Sequence, residues 1–208
     1  MILAIDQSYS GTGVAYISED GQIQSCLIKT FPEFSWESRI DYILKVLDSY
    51  FDLSAIDTIT RPSPVKYVII ESYAFASSNS QIFQLGELGG IIKYHFHSKG
   101  VDVKTMLIAH PKMLMAGNGQ ATKSQVMKGL YGRFRIKESN DNIADAISIG
   151  LTFRLWLLWS EKKWEAKGYL LSLMVKVDNY LNGKHTSKSS SSDKCTFRTA
   201  LQIRPECF

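Results

Sequence analysis

The sequence predicts an α/β fold, a mixed five-stranded sheet whose first three strands are antiparallel and whose later strands are parallel, flanked by helices. Three observations carry this. Apolar runs of strand length crowd the first 30 residues, with short turns between them. Helical stretches then separate the third run from the fourth and the fourth from the fifth, as parallel crossovers require. Finally, two buried runs each end on a single acid: Asp6 after Met1-Ile2-Leu3-Ala4-Ile5, and Glu71 after Tyr67-Val68-Ile69-Ile70.

The elements follow in order. Met1 to Asp6 reads as a buried strand, and Gln7 to Gly13 as a turn, with glycines where the backbone bends. Val14 to Ile17 and Ile23 to Ile28 read as strands around Glu19-Asp20-Gly21. Ser35 to Phe51 has helical periodicity (Ile40, Ile43, Leu44, Leu47, Tyr50, Phe51), with Ser35 as N-cap. Arg61 to Pro64 is a loop, and Tyr67 to Glu71 a strand parallel to the first. Ser72 to Ser78 is a loop of small and aromatic residues before a helix from about Asn79 to Ser98. Gly86, Gly89 and Gly90 weaken that helix by roughly 1 kcal/mol each relative to Ala, which makes sense where another backbone packs closely. Val101 to Leu107 is a strand, His110 to Gly119 a loop and Thr122 to Phe134 a helix. A helix around Asp141 and Asp145 continues through the apolar run Ala146 to Trp159, and Ala166 to Leu181 forms an amphipathic helix. The expected organisation is a domain over 1–160, a C-terminal amphipathic helix over 161–182, and a disordered serine-rich tail over 183–208.

Composition bounds the function class. The chain has 208 residues, 45% hydrophobic and 21% charged, enough for one domain with a full core. Cys26, Cys195 and Cys207 show no metal-ligand spacing, which suits a reducing, cytoplasmic setting. Met1 leads directly into a strand with no signal-peptide pattern. The run from Ala146 contains Arg154 and falls short of the roughly 18 apolar residues of a membrane span. Net charge is only +4, but residues 1–72 carry ten acids and five bases, whereas residues 93–137 carry nine bases and one acid. Such a basic segment is either a solvated face or a polyanion footprint, with Lys104, Lys112, Lys123, Lys128 and Arg133 as candidate contacts. His95, His97 and His110 form no zinc pattern with the cysteines and read as surface or phosphate-facing residues.

The chemistry lies with the acids. Asp141 and Asp145 are one helical turn apart, so both carboxylates occupy one face beside apolar Ile143, Ala144, Ala146 and Ile147. Like charges held together next to a core need a cation between them. With Asp6 and Glu71 they make a candidate oxygen-ligand site, which selects Mg²⁺ or Mn²⁺ over zinc. A single strand-end acid is more often structural; the four together point to a metal site.

The local text resembles a known family. Gly117-Asn118-Gly119-Gln120-Ala121-Thr122-Lys123-Ser124-Gln125-Val126 is similar to the Gly-x-Gly-x-Ala-x-Lys-x-Gln-Val segment of RuvC-type Holliday-junction resolvases, which have the RNase H-like fold. Ala4-Ile5-Asp6-Gln7-Ser8 with Gly11-Thr12-Gly13 resembles their first acidic strand, Leu85 to Gly90 the helix after the second acid, and Ile143 to Ile147 the closing helix. The resemblance covers about residues 1–158 and implies a metal-dependent nuclease acting on four-way junction DNA as a homodimer, with two Mg²⁺ ions (Mn²⁺ as substitute) per site. It implies Asp6 as the bridging ligand with Glu71 and Asp145 beside it, and Asp141 or Asn142 as the fourth. The family carries its ligand three residues before the last Asp, where this chain has Asn142, and some relatives have acids at both positions. Lys112 and Lys123 match two lysines near the scissile phosphate, and Gly117 and Gly119 allow close backbone approach. Tyr73 or Phe75 would stack on an unpaired base at the junction centre. The dimer contact would fall on the glycine-bearing helix from Gln81 to Phe96. The modest length and divergent tail suit a phage-borne version.

Three other readings remain open at this point. One is an RNase H-like nuclease acting on flaps, branched DNA or RNA:DNA hybrids, and another a catalytically weak junction-binding protein if Asn142 disables the metal site. The third is a sugar-kinase-like ATPase, because Asp6-x-Ser8-x-x-Gly11-Thr12-Gly13 also resembles the phosphate loop of that superfamily.

Overall fold

Strands β1 (Ile2–Asp6), β2 (Gly11–Ile17), β3 (Ile23–Lys29), β4 (Tyr67–Glu71) and β5 (Asp102–Met106) form one sheet in the order β3-β2-β1-β4-β5. In this computed structural model the described residues are 1–51, 65–72 and 80–184. The loops expected at Arg61–Pro64 and around Tyr73 and Phe75, and the tail from residue 185 with Cys195 and Cys207, lie outside them. β1 pairs antiparallel with β2, and β2 with β3, while β4 runs parallel to both β1 and β5. This is the expected mixed sheet.

Side-chain alternation divides the core into two layers. On β1, Ile2 and Ala4 face one layer, whereas Leu3 and Ile5 face the other. On β4, Ile69 joins the first layer, and Val68 and Ile70 the second. The second layer is closed by α1 (Trp36–Phe51) and α2 (Ser80–Ser98) through Ile40, Ile43, Leu47, Leu88, Ile92 and Phe96. α1 is capped as expected, the Ser38 amide donating to Ser35 Oγ at 3.3 Å. Asp48 ties the two helices, accepting from Lys99 at 2.6 Å and facing His95 Nε2 at 2.9 Å. His95 is therefore an interhelical contact rather than a phosphate-facing residue.

The first layer is closed by α3 (Ala109–Ala116), α4 (Lys123–Phe134), α5 (Asp141–Ser160) and α6 (Tyr169–Leu181). α5 is the central helix, buried from Ala144 through Leu155 apart from the half-buried Asp145. Its hydroxyls bond back to its own carbonyls, Ser148 to Ala144 O and Thr152 to Ser148 O, each at 2.7 Å. By length and composition alone α5 is apolar enough to cross a membrane, but it packs on β1 and β2 as a core helix. α6 buries Leu170, Leu173, Met174 and Val177 in the same layer, and Trp156 of α5 donates its indole N–H to Asp178.

Two sequence expectations are corrected. Gly11 and Gly13, read as part of a turn, belong to β2, where Gly13 pairs with Asp6. A Cβ on Gly13 would collide with the Asn142 carbonyl at the start of α5. Here glycine serves close approach between helix and strand. Residues 109–116, read as loop, form α3: Pro111 stands in the first turn, where its missing N–H costs nothing, and Gly117 ends the helix at φ 76°. His110 on this helix is buried, with its ring edge-on to Tyr180 of α6.

Both corrections generate predictions. Gly13→Ala should cost at least about 1–3 kcal/mol through overpacking against backbone. Gly132→Ala on α4, with nothing near its absent Cβ among the described residues, should instead stabilise by about 0.4–1 kcal/mol. Denaturant unfolding of the pair checks the contrast. Burial, then the nearby Lys176 charge, lowers His110 to about 4. The unfolded chain then binds a proton that the folded one does not between about pH 6.5 and 4, so stability falls as pH drops through that window, by up to about 3 kcal/mol. Thermal melts against pH should show this slope reduced in His110→Gln; an unchanged slope would place the acid sensitivity elsewhere.

Candidate active site

The same alternation that places Ile2, Ala4 and Ile69 under α5 directs the next residues of that phase, Asp6 and Glu71, to the same side at the carboxyl ends of adjacent parallel strands. The N-terminus of α5 arrives above them. Asn140 caps it, its Oδ1 accepting from the Ile143 amide at 3.1 Å, and the Asn142 side chain donates to Gly11 O at 2.7 Å. This pins the first turn of α5 to β2 and brings Asp145 to the strand-end acids. Acids some 140 residues apart thus meet.

Their electrostatics record the crowding. Burial, followed by the neighbouring Glu71 carboxylate, pushes Asp6 up to about 9. Burial raises Glu71, and burial together with the Glu71 charge raises Asp145 to about 6. Lys123 opposes these shifts at all three acids, and Lys112 at Glu71 and Asp145. Asp141 differs from the other three. Its hydrogen bond from Lys123 holds it below the usual carboxylate range, and it is the most solvent-facing of the set. Lys123 itself opens α4, whose N-terminus carries a full capping box between Thr122 and Gln125.

The other sequence-derived candidates are placed as follows. Lys112 lies on α3, close enough for its charge to act on Glu71 and Asp145. Gly117 is the left-handed cap of α3, a conformational role, and a Cβ on Gly119 would press on Ala109 at 3.2 Å, a packing role. Lys128 is exposed on α4. Arg133 turns inward and donates Nε–H to Met115 O at 3.0 Å, bracing α4 against α3. Lys104 lies on the edge strand and pairs with Asp102 at 3.1 Å. Asn142 commits its amide N–H to Gly11. Tyr73 and Phe75 lie outside the described residues.

Gln7 and Ser72 also lie beside the acids. Gln7 Nε2 reaches Glu71 O at 3.5 Å, while its Oε1 and Ser72 Oγ are buried with no hydrogen-bond partner among the described residues. Their only sequence signal is adjacency to Asp6 and Glu71. Among the described residues, no three Asp, Glu, His or Cys side chains stand at metal-ligand spacing, so the acids converge without closing into a coordination shell. A partly open hollow of about 200 Å³, lined in part by Ile2, Ile17, Lys66, Tyr67 and Arg154, lies at the opposite end of the sheet and contains none of these groups. What the arrangement offers is an oxygen-rich, self-repelling anionic centre flanked by two lysines, suited to a cation and a phosphate ester.

Known proteins share this arrangement of elements. The family model "Crossover junction endodeoxyribonuclease RuvC" matches residues 2–153. The RuvC of Brachyspira hyodysenteriae is 25% identical over 155 residues, covering 72% of this chain and 90% of that protein. The RuvC of Prochlorococcus marinus is 27% identical over 157 residues, covering 73% and 94%. Among solved structures, Thermus thermophilus RuvC superposes with a TM-score of 0.57, and the same protein in complex with Holliday junction substrate with 0.60. Both are 22% identical and cover 76% of this chain, and 96% and 95% of theirs. With its strand-end acids, its closing helix and a family match over most of its length, this chain belongs to the RuvC family of crossover junction endodeoxyribonucleases.

Proposed function

We propose that this chain resolves four-way DNA junctions as a homodimer, hydrolysing paired phosphodiester bonds with divalent metal. One observation carries the chemistry: Asp6, Glu71 and Asp145 converge from two parallel strand ends and one helix, with Lys112 and Lys123 beside them. The donor set fits Mg²⁺ or Mn²⁺. It is all oxygen, its members repel one another, and the buried Gln7 Oε1 next to them lacks a partner among the described residues. Asp6, Glu71 and Asp145 would hold the metal. Asp141 or Asn142 serves as the fourth ligand in this reading: Asp141 brings a carboxylate, which Lys123 bonds here, and Asn142 donates its Nδ2–H to Gly11 O, a bond that does not involve its Oδ1. Two bound ions would supply an activated water and a stabilised leaving oxygen. Lys112 and Lys123 place positive charge where the phosphate gains negative charge in the transition state. A cytoplasmic location, with access to DNA, goes with this reading.

Support for the dimer comes from α2. Phe83, Glu87, Gly90 and Tyr94 fall on one exposed face at helical spacing, with Phe83 79% and Tyr94 73% exposed. Among the described residues nothing lies within 4 Å of a Cβ built on Gly86 or Gly90. Gly89, grouped with them from the sequence, is buried on the inner side. A symmetric partner helix against this face would account for exposed aromatics beside open glycines.

A synthetic four-way junction with Mg²⁺, run beside duplex and flap controls, tests the activity. Paired nicks at the junction are expected; cutting of flaps alone would overturn the resolvase reading. Asp6→Asn, Glu71→Gln and Asp145→Asn should each abolish cleavage while retaining junction binding. A separate readout is stability. A carboxylate whose folded pKa is raised favours the fold below its unfolded pKa and loses that contribution as pH rises through the folded value. At neutral pH and without metal, Asp6→Asn should therefore melt about 1–3 kcal/mol above wild type. Mg²⁺ should raise the Tm of wild type but not of the variant. Equal melting with and without metal in both would remove Asp6 from the ligand set.

For the dimer, Gly90→Ala should favour the isolated helix by about 1 kcal/mol while weakening self-association in sedimentation. A protein that stays monomeric both free and on junction DNA would end the homodimer reading and favour a single-site nuclease.

A further inference from the structure

Ser124, Lys128, Tyr131 and Arg135 recur at spacings of four, three and four, which aligns them along one side of α4 and its C-cap. All four are exposed. Tyr131 is 54% exposed, and the Arg135 guanidinium lies 6.0 Å from its ring centroid. Residues 137–139, on the segment leading into α5, stand opposite. With α4 they flank a shallow, open groove of about 480 Å³ that has Lys128 on one wall and Lys137 on the other. α4 contains no acid. The acid of the groove, Glu138, is folded onto its own backbone, accepting from the Ser139 and Asn140 amides at 2.7 and 2.8 Å. Neither groove lysine has an acidic partner among the described residues.

The course of the walls gives the groove its meaning. α4 begins at Lys123, and the opposite wall runs through Asn140 into Asp141. Lys123 bonds Asp141, so both walls close on that pair at the rim of the active site. From Ser124 to Arg135 the helix is about 16 Å long, enough to follow several successive phosphates of one strand.

We infer that this groove holds the phosphate backbone of the DNA arm that continues from the strand being cut. Lys128 and Lys137 neutralise phosphates from the two walls. Tyr131, one face already occupied by Arg135, presents its edge and hydroxyl to the backbone rather than a free face to a base. Ser124 and Ser139 add hydroxyl donors at the end nearest the scissile bond. The assignment rests on the junction-nuclease reading above and adds to it a contact that fixes where an arm must lie.

The test is binding of a fluorescent four-way junction across a salt series without divalent metal, using wild type, Lys128→Ala/Lys137→Ala and Tyr131→Ala. All three positions are exposed, and matched thermal melts verify the fold. The double variant should bind about tenfold or more weakly at physiological salt. Its log–log salt slope should be shallower by about 0.9 for each lost phosphate contact. The deficit should vanish on junctions whose arms are trimmed so that no DNA reaches the groove. Wild-type affinity and slope in the double variant, or a deficit that persists on trimmed arms, overturns the proposal. A Tyr131→Ala deficit confined to junctions with unpaired bases would make the groove a base pocket and also overturn it. Wild-type protein that prefers plain duplex would sink the junction reading instead, and the same variants on duplex would still decide the groove.

Discussion

Close contact between the first turn of α5 and strand β2 is the constraint on which the rest of this molecule depends. Gly13 has no side chain because the Asn142 carbonyl occupies that space, and the Asn142 amide closes the contact through Gly11 O. Further along, Gly150 rides over β1, where a Cβ would lie 3.1 Å from that of Ala4. With small residues at both points, the helix lies almost on the sheet. Were it held a side chain's width away, Asp145 would not feel Glu71, and the strand-end acids would be ordinary surface carboxylates.

That closeness opposes stability. Three acids with raised pKa values, two of them largely buried, are a folded-state cost that core packing must offset. The offset is visible in the surroundings: buried residues on α5 from Ala146 through Leu155, and two layers that cover β1 and the middle of β4 from both sides. Each fully buried large apolar side chain contributes about 1.5–3 kcal/mol, so a handful of them outweighs the repulsion. Lys112 and Lys123 reduce it further without cancelling it, which leaves a crowded centre of acids with raised pKa values.

How much of this was legible in the sequence divides along physical lines. The sheet was, because strands buried on both faces read as continuous apolar runs, and their ends are marked by Asp6 and Glu71. The two α5 acids were legible as a pair on one helix face, but not their different surroundings: Asp145 lies by the strand-end acids, whereas Asp141 faces solvent and bonds Lys123. α3 was not: Pro111, Gly117 and Gly119 are loop signals one at a time, and only the position of the proline in the first turn makes the segment helical. Gly11 and Gly13 misled in the same way, since a glycine required by a neighbouring helix looks identical to one required by a turn. Arg133 and His110 were misplaced because charge counts do not tell which side of a helix a residue occupies. Arg133 is spent on Met115 O, and His110 is packed under Tyr180.

α6 lies beyond the stretch matched by the family, residues 2–153, yet it is not an appendage. It buries four apolar side chains in the layer that contains α3, α4 and α5, and Tyr169 donates its hydroxyl to Met113 O of α3. Met113 follows Lys112 directly, and Arg133 of α4 grips the same helix two residues later at Met115 O. α3, only eight residues long and ended by a glycine, is thus held from two sides by side chains donating to its carbonyls. A short helix has little stability of its own, and its order comes from such tertiary contacts. The placement of Lys112 beside the acids therefore depends on a helix outside the matched family region. In this chain the surroundings of the candidate site and the C-terminal helix share one core.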